Sequence, residues 1–285
     1  MNPEMRARIE ALLPGPIESA QELGGGSIGA SWCADLASGE RYFIKHYGEG
    51  PSGLVRAEAQ GLAWLAEADA LPTARVVATG DEDEALVLEW IEGARERSDF
   101  AERLGRGLAR LHAFGAPEFG FSEDNFIGSL PQANAACEGW ADFYAYRRIE
   151  PLVRSGQDAG QIPSGIAGEA SRMLGRFEAL CGPPEPPARL HGDLWSGNAM
   201  LGPEGEFVLI DPAVYGGHRE VDLAMMQLFG GFPERSFDAY ANEFPLAEEA
   251  EERVAFYQLY PLLVHANLFG GSYVDSFAKA LRTYR

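Results

Sequence analysis

The chain opens on a helical period. Between residues 2 and 13 charged and apolar side chains recur at helical spacing, with Asn2 placed to cap and Pro3 in the first turn. The period then shortens. Segments 17–23, 31–36 and 41–47 read as a meander of three strands, its first turn made by Gly24-Gly25-Gly26 and its second by Ala37-Ser38-Gly39-Glu40. Leu54, Ala57, Leu62 and Leu65 return to helical spacing and predict a helix over 51–69. Two more strands, 75–79 and 85–91, flank an acidic turn at 81–84. Beyond Glu92-Gly93 the texture changes: Ser98 is placed to cap a helix running to about Phe114, a Gly- and Pro-punctuated loop fills 115–138, and the remainder is helical except for short strands around Leu190 and 208–210. Four prolines within 183–187 form a rigid lead-in to the second half of the chain. The pattern predicts an α+β protein with a five-stranded front lobe carrying a helix (1–92), a hinge at Gly93, and a mainly helical lobe (93–285).

Composition narrows the function classes. With 46% hydrophobic residues in 285, the chain can bury a large core, which excludes a disordered protein. Lys and Arg number 23 against 43 Asp and Glu, a formal charge of −20, so nucleic acid and anionic membrane surfaces are poor partners. The three cysteines, Cys33, Cys137 and Cys181, have neither paired nor metal-ligand spacing, and Cys33 reads as a small buried filler. No stretch has the form of a signal peptide, and the apolar run 257–269 is short and broken by Gln258, Pro261, His265 and Asn267, so a reducing cytoplasm is the default compartment. Only two residues are lysine, Lys45 and Lys279.

The densest chemistry lies in Leu190-His191-Gly192-Asp193-Leu194-Trp195-Ser196-Gly197-Asn198. A His two residues before an Asp, and an Asn five after it, match the kinase catalytic loop with Gly in place of Arg. One tight loop can then aim a carboxylate, Asp193, at an acceptor hydroxyl and turn an amide oxygen, Asn198, toward magnesium. The apolar run 207–210 ends in Asp211, placed as a second metal ligand one hairpin later. In the front lobe, Gly25, Gly26 and Ser27 sit between two strands where backbone amides could cover phosphates, although a glycine-rich turn alone is common and no Walker lysine follows. Lys45 ends the third strand as a compact phosphate-binding cation that a broader guanidinium would not replace, with Glu58 on the next helix as its partner. Glu89, Trp90 and Ile91 close the last front strand, where main-chain groups could meet the edge of adenine.

Together these motifs resemble the fructosamine-3-kinase (ketosamine-3-kinase) family of the protein-kinase-like superfamily. The resemblance runs from Gly24 to the carboxy-terminal helices. It is most specific at 191–198, at Asp211-Pro212-Ala213, at 217–224 and 228–232, at 130–134 with Trp140, Phe143, Tyr144 and Arg148, and at 257–260. It implies a bilobal protein-kinase-like fold, ATP and Mg2+ as cofactors, and phosphorylation of the 3-hydroxyl of a small-molecule or lysine-linked ketoamine such as a fructosamine or ribulosamine. By resemblance Asp193 is the proton acceptor, Asn198 and Asp211 the metal ligands, Lys45 the phosphate lysine paired with Glu58, and 89–91 the adenine hinge. Trp195, His218, Glu220 and Asp222 face or brace the sugar side. Many relatives carry a cysteine in the glycine-rich loop where this chain has Gly26-Ser27-Ile28, so redox control through that thiol is not implied. Two readings compete: another small-molecule kinase of the same fold (aminoglycoside, choline or homoserine type), and a catalytically idle nucleotide-binding module. A protein-substrate kinase is disfavoured, because no Ala-Pro-Glu segment follows Asp211.

Overall fold

The computed structural model describes residues 1–24, 29–48, 50–80 and 85–284. Of the proposed phosphate loop, Gly25, Gly26 and Ser27 lie outside the described residues. Helix α1 (Pro3–Glu10) starts as its sequence dictates, the Asn2 side chain accepting a hydrogen bond from the Met5 amide at 2.8 Å. Strands β1 (Ile17–Leu23), β2 (Ala30–Leu36), β3 (Arg41–His46), β4 (Val76–Thr79) and β5 (Ala85–Glu89) form one antiparallel sheet in the order β1-β2-β3-β5-β4. Strand alternation divides its side chains between two faces. Trp32, Ala34, Leu36, Tyr42, Ile44 and Val87 pack with Ile9, Leu13 and Ile17 on one side. The other carries Leu86, Leu88 and Phe43 against helix α2 (Leu54–Ala66), which buries Val55 and Leu62 there. Lys45 shares the parity of Phe43, so it too is turned toward α2. On α2, Glu58 lies within the buried set that includes Leu54, Leu62 and Leu65, which brings a carboxylate to an otherwise apolar face.

Helix α2 is shorter than its sequence predicts, because Gly53 adopts φ +93° immediately before it. Helix α3 (Phe100–Phe114) follows Asp99 rather than Ser98, and the Asp99 carboxylate is engaged by Arg97 at 3.1 Å instead of capping. Cys33 is half-buried, on the strand face opposite Trp32 and Ala34, and is no core filler.

The segment expected as loop contains a hairpin, β6 (Asn125–Ile127) with β7 (Leu130–Gln132). Further on, α4 (Trp140–Phe143) runs through a π-helical stretch, Tyr144–Ile149, into α5 (Glu150–Asp158), followed by α6 (Ser164–Leu174) and α7 (Phe177–Leu180). Two short antiparallel pairings then build the centre of the molecule: β8 (Ala188–Leu190) with β11 (Tyr215–Gly217), and β9 (Ala199–Leu201) with β10 (Phe207–Leu209). Helices α8 (Glu220–Phe229), α9 (Glu234–Glu243), α10 (Ala250–Tyr257), α11 (Leu259–Phe269) and α12 (Ser272–Arg282) complete the chain. Their core is aromatic, with Trp140, Phe143, Tyr144, Phe177, Phe256, Tyr257 and Phe277 buried together. Among the described residues no helix is long and apolar enough to cross a membrane.

Arg148 is fully buried in that core and illustrates how the centre is braced. Its guanidinium donates to Ala133 O and Asn134 Oδ1, each at 2.6 Å, and lies 3.9 Å from the centroid of Tyr215. Asn134 donates to Asn125 Oδ1 at 2.8 Å; Asn125 donates to Val214 O at 2.8 Å; Gln132 donates to Ala213 O at 3.1 Å and accepts from the Tyr260 hydroxyl at 2.6 Å. A buried polar network of this kind is favourable only when its members find partners, and here it holds the stretch after Asp211 in one position.

Candidate active site

The loop after β8 is shaped by a carboxylate beneath it. Asp222, on the first turn of α8, accepts the His191 amide at 2.8 Å and the Gly192 amide at 2.9 Å. Its own orientation is fixed by His112 Nε2 at 3.2 Å, whose Nδ1 meets the Tyr240 hydroxyl at 2.8 Å. Burial works to raise the Asp222 carboxyl. The His112 hydrogen bond, the His112 and His191 rings and the Gly192 amide outweigh it and hold the group below the usual carboxylate range. Burial keeps the His191 imidazole neutral, so Nε2 donates to Ile210 O at 2.9 Å while Nδ1 accepts the Asp193 amide at 3.3 Å.

Glycine is required between that His and Asp. Gly192 has φ +83°, and a Cβ built there would stand 2.0 Å from Ala213 O. The loop and the stretch after Asp211 therefore run in direct contact, with the Ala213 amide donating to His191 O at 2.9 Å. An arginine, as in protein kinases, has no room.

Asn198 closes the loop from the other end, its Nδ2 donating to Asp193 O at 2.8 Å and to Asp193 Oδ2 at 3.0 Å. With the amide nitrogen so engaged, the carboxamide oxygen is left for another partner. The Ile210 amide donates to Asn198 O at 3.0 Å, and the β9–β10 hairpin delivers Asp211 beside it in the left-handed region at φ +51°, which Asp tolerates better than most residues. Burial lifts the Asp193 carboxyl to about 7; the Asn198 hydrogen bond opposes the rise and the charge of Asp222 adds to it.

From the sheet, Lys45 Nζ reaches Glu58 Oε1 at 2.7 Å and also contacts Asp211 Oδ1. Tyr47, which sequence reasoning missed, donates its hydroxyl to the second Glu58 oxygen. The Lys45 side chain is only 14% exposed, so flanking carboxylates are what make its burial tolerable. Helix α2 can press this close because residue 61 is glycine: a Cβ there would lie 3.1 Å from Pro212.

Lys45, Tyr47, Glu58, Asp193, Asn198 and Asp211 share one cleft of about 480 Å3, walled by Leu23, Gly24 and Phe43 on the sheet side and by Phe126, Trp195 and Ile210 across it. Trp195 is 41% exposed. Glu89, Trp90 and Ile91 are not among its lining residues, although Ile91 packs in the same apolar cluster as Phe43 and Ile210. His218, Glu220 and Asp222 do not reach the cleft. Arg253 grips Glu220 from behind at 2.6 and 2.9 Å, and His218 stacks on Tyr257 at 5.2 Å, where burial pushes its imidazole down to about 4. Of the three, only Asp222 fixes the catalytic loop, from the interior, while His218 and Glu220 are buried against Tyr257 and Arg253. Asn125, Phe126 and Gly128 of the β6–β7 hairpin, by contrast, line the cleft without having been expected there. Their only sequence signal is a set of amides, Asn125, Gln132 and Asn134, in an otherwise loop-like stretch.

A sheet with one packed helix, facing a helical body across a cleft that holds the Lys45–Glu58 pair together with Asp193, Asn198 and Asp211, defines a kinase-like phosphotransferase. A choline kinase from Streptococcus pneumoniae has this fold, with a TM-score of 0.66 at 18% identity over 98% of this chain and 97% of that one. Within that class the chain belongs to the fructosamine kinase family, whose model matches residues 2–284. It is a kinase. A Synechocystis protein named "Probable ketoamine kinase" is 38% identical over 275 residues, covering 94% of this chain and 91% of its own length. One of the same name from Escherichia coli K12 is 35% identical over 272 residues, covering 94% and 93%. A solved structure from Thermobifida fusca, called a "putative fructosamine-3-kinase", has a TM-score of 0.89 at 39% identity over 98% of this chain and 97% of that one.

Proposed function

We propose that this kinase transfers the γ-phosphoryl group of ATP to the 3-hydroxyl of a sugar ketoamine, a fructosamine or ribulosamine carried on a lysine amine, and acts as a deglycation enzyme of the cytoplasm. The observation that carries the reading is the convergence of Lys45, Glu58, Asp193, Asn198 and Asp211 on one cleft. In the transfer the bond from the γ-phosphorus to the β-bridging oxygen breaks, a bond to the sugar O3 forms, and ADP leaves. Asp193 orients the hydroxyl and takes its proton late in the step. Lys45 binds the α- and β-phosphates once a nucleotide displaces Asp211 from it, and Glu58 keeps the ammonium aimed.

The donor set suits magnesium. The Asp211 carboxylate is 41% exposed, and the Asn198 amide oxygen is left over from the bonds to Asp193. Among the described residues no group of three or more His, Cys, Asp or Glu could hold a metal. Two hard oxygens completed by phosphate and water are what magnesium accepts. Bound there, the ion would neutralise charge on the transferring phosphates. The remaining catalysis is alignment by the chain itself: Asp222 fixes the loop amides and Asn198 fixes the Asp193 carboxylate.

The test offers fructosyl-lysine and ribulosyl-lysine with Mg-ATP, follows ADP, and locates the phosphate by NMR. Asp193→Asn is expected to lower turnover at least a hundredfold with ATP affinity within about threefold. Silence on both ketoamines with turnover of an aminoglycoside, choline or homoserine would assign another acceptor, and ATP binding without any turnover would describe an idle module.

A further inference from the structure

Beyond the cleft, aromatic rings continue across the surface. Trp195 on the catalytic loop meets Phe229 edge-on at 6.4 Å between centroids, Phe229 meets His265 at 4.7 Å, and His265 meets Tyr273 at 4.9 Å and Phe269 at 5.6 Å. Two of the rings come from the same short sequence used twice. Leu228-Phe229-Gly230-Gly231 ends α8 and Leu268-Phe269-Gly270-Gly271 ends α11, and in both copies the two glycines have positive φ, between 58° and 87°. Each pair stops its helix directly after the phenylalanine, so both rings sit at helix ends on the same side of the molecule as Trp195. Phe269 is 58% exposed and Trp195 41%; Phe114 and Tyr146 are comparably exposed, but these two belong to one run of touching rings that reaches the cleft.

We infer that this strip is the subsite for the aglycone of the ketoamine, and that it selects substrates whose modified lysine sits in a peptide beside an apolar or aromatic residue. The inference rests on the ketoamine reading above. The strip is continuous with the cleft, because Trp195 lines both. Its ring-to-ring steps extend past anything a monosaccharide covers, whereas an extended peptide, at about 3.4 Å per residue, would lay three or four residues along it. Alternate side chains of such a peptide can meet the rings while the ketoamine enters beside Asp193. The chemistry of the near end fits as well. A protonated secondary amine is attracted to the face of Trp195 and to a protein carrying a formal charge of −20. His265 is held neutral by burial with Nδ1 donating to Pro261 O at 2.8 Å, which leaves Nε2 as an acceptor rather than a second cation within the strip.

The experiment compares kcat/KM for free fructosyl-lysine with that for a pentapeptide bearing fructosyl-lysine next to phenylalanine, and for the same peptide with glycine in its place. The phenylalanine peptide is expected to be preferred over the glycine peptide by roughly three- to tenfold, and Phe269→Ala is expected to erase most of that preference. Phe114→Ala, which removes another exposed aromatic on the surface of α3, serves as the control and is expected to leave the preference intact. Equal rates for the two peptides, or a preference untouched by Phe269→Ala, would overturn the inference while leaving the ketoamine reading standing. Turnover of none of the three substrates would instead remove the reading on which it rests. A Phe269→Ala change in sedimentation mass with the peptide preference preserved would assign the strip to a second copy of this chain and overturn the inference too.

Discussion

Asp193 and His218 carry opposite protonic loads. The half-buried Asp193 carboxyl, on the cleft wall, is lifted to about 7, so the native protein holds that proton more tightly than the unfolded chain does. Its contribution to stability is present at low pH and is lost as pH rises through 7. In protein free of nucleotide and metal, Asp193→Asn is therefore expected to melt above the wild type at pH 8, with the gap narrowing toward pH 5.5; equal melting temperatures at both values would contradict the burial argument. His218 runs the other way. Burial holds its ring down to about 4, so between pH 6.5 and 4 the unfolded chain takes up the proton first and stability falls as pH drops. The loss over that window is on the order of 3 kcal/mol. His218→Gln should flatten the fall in melting temperature across it, as read by calorimetry at half-unit pH steps. At this scale the sequence was informative where spacing alone sets geometry: Lys45 to Glu58 across a strand and helix, and Asp193, Asn198 and Asp211 around one hairpin. It was uninformative for His218, Glu220 and Asp222, because nothing in a local motif says which side of a loop a helix start will occupy.

The elements that matter most at the site are short, and their positions are tertiary facts. The catalytic loop touches the stretch after Asp211 through Gly192, and a methyl group there would collide with Ala213 O in a backbone already at positive φ. Gly192→Ala is expected to cost about 2 kcal/mol or more and to lower turnover with it. A urea midpoint within error of the wild type would show that the two segments can separate freely. The front strands were legible almost to the residue, because alternation and turn residues repeat there with period two, and β1 begins and ends where the pattern changes. The β6–β7 hairpin was not. Asn125, Pro131 and Gln132 have no strand preference, and the hairpin holds because buried carbonyls of Ala213 and Val214 need donors. Ser98 misled in a comparable way: a cap residue stood two positions before Phe100, where the helix starts, and Asp99 takes the N-cap position instead.

Over the whole molecule the excess of carboxylates acts at a distance. With a formal charge of −20, a cationic ketoamine is drawn in and an anionic nucleotide is not, so the lysine in the cleft must offset the global field locally. Raising salt from about 20 to 300 mM shortens the Debye length from roughly 20 to 6 Å. The KM for fructosyl-lysine is expected to rise severalfold over that range with kcat nearly constant, whereas a KM indifferent to salt would confine the charge to solubility. The five-stranded antiparallel sheet followed from the alternation ahead of Gly93, but the cleft's volume and the aromatic strip beyond it depend on how distant helices end, which no periodicity records.

The pairing of Lys45 has a consequence for the protein's own durability. Reducing sugars condense with unprotonated amines, and this chain exposes almost none on its side chains: Lys45 is closed in by Glu58 and Asp211, and Lys279 stands alone on the outside of α12. On the proposed reading, an enzyme that phosphorylates glycated amines offers few side-chain amines of its own to sugar, and the lysine that reading assigns to phosphate is the better shielded of its two.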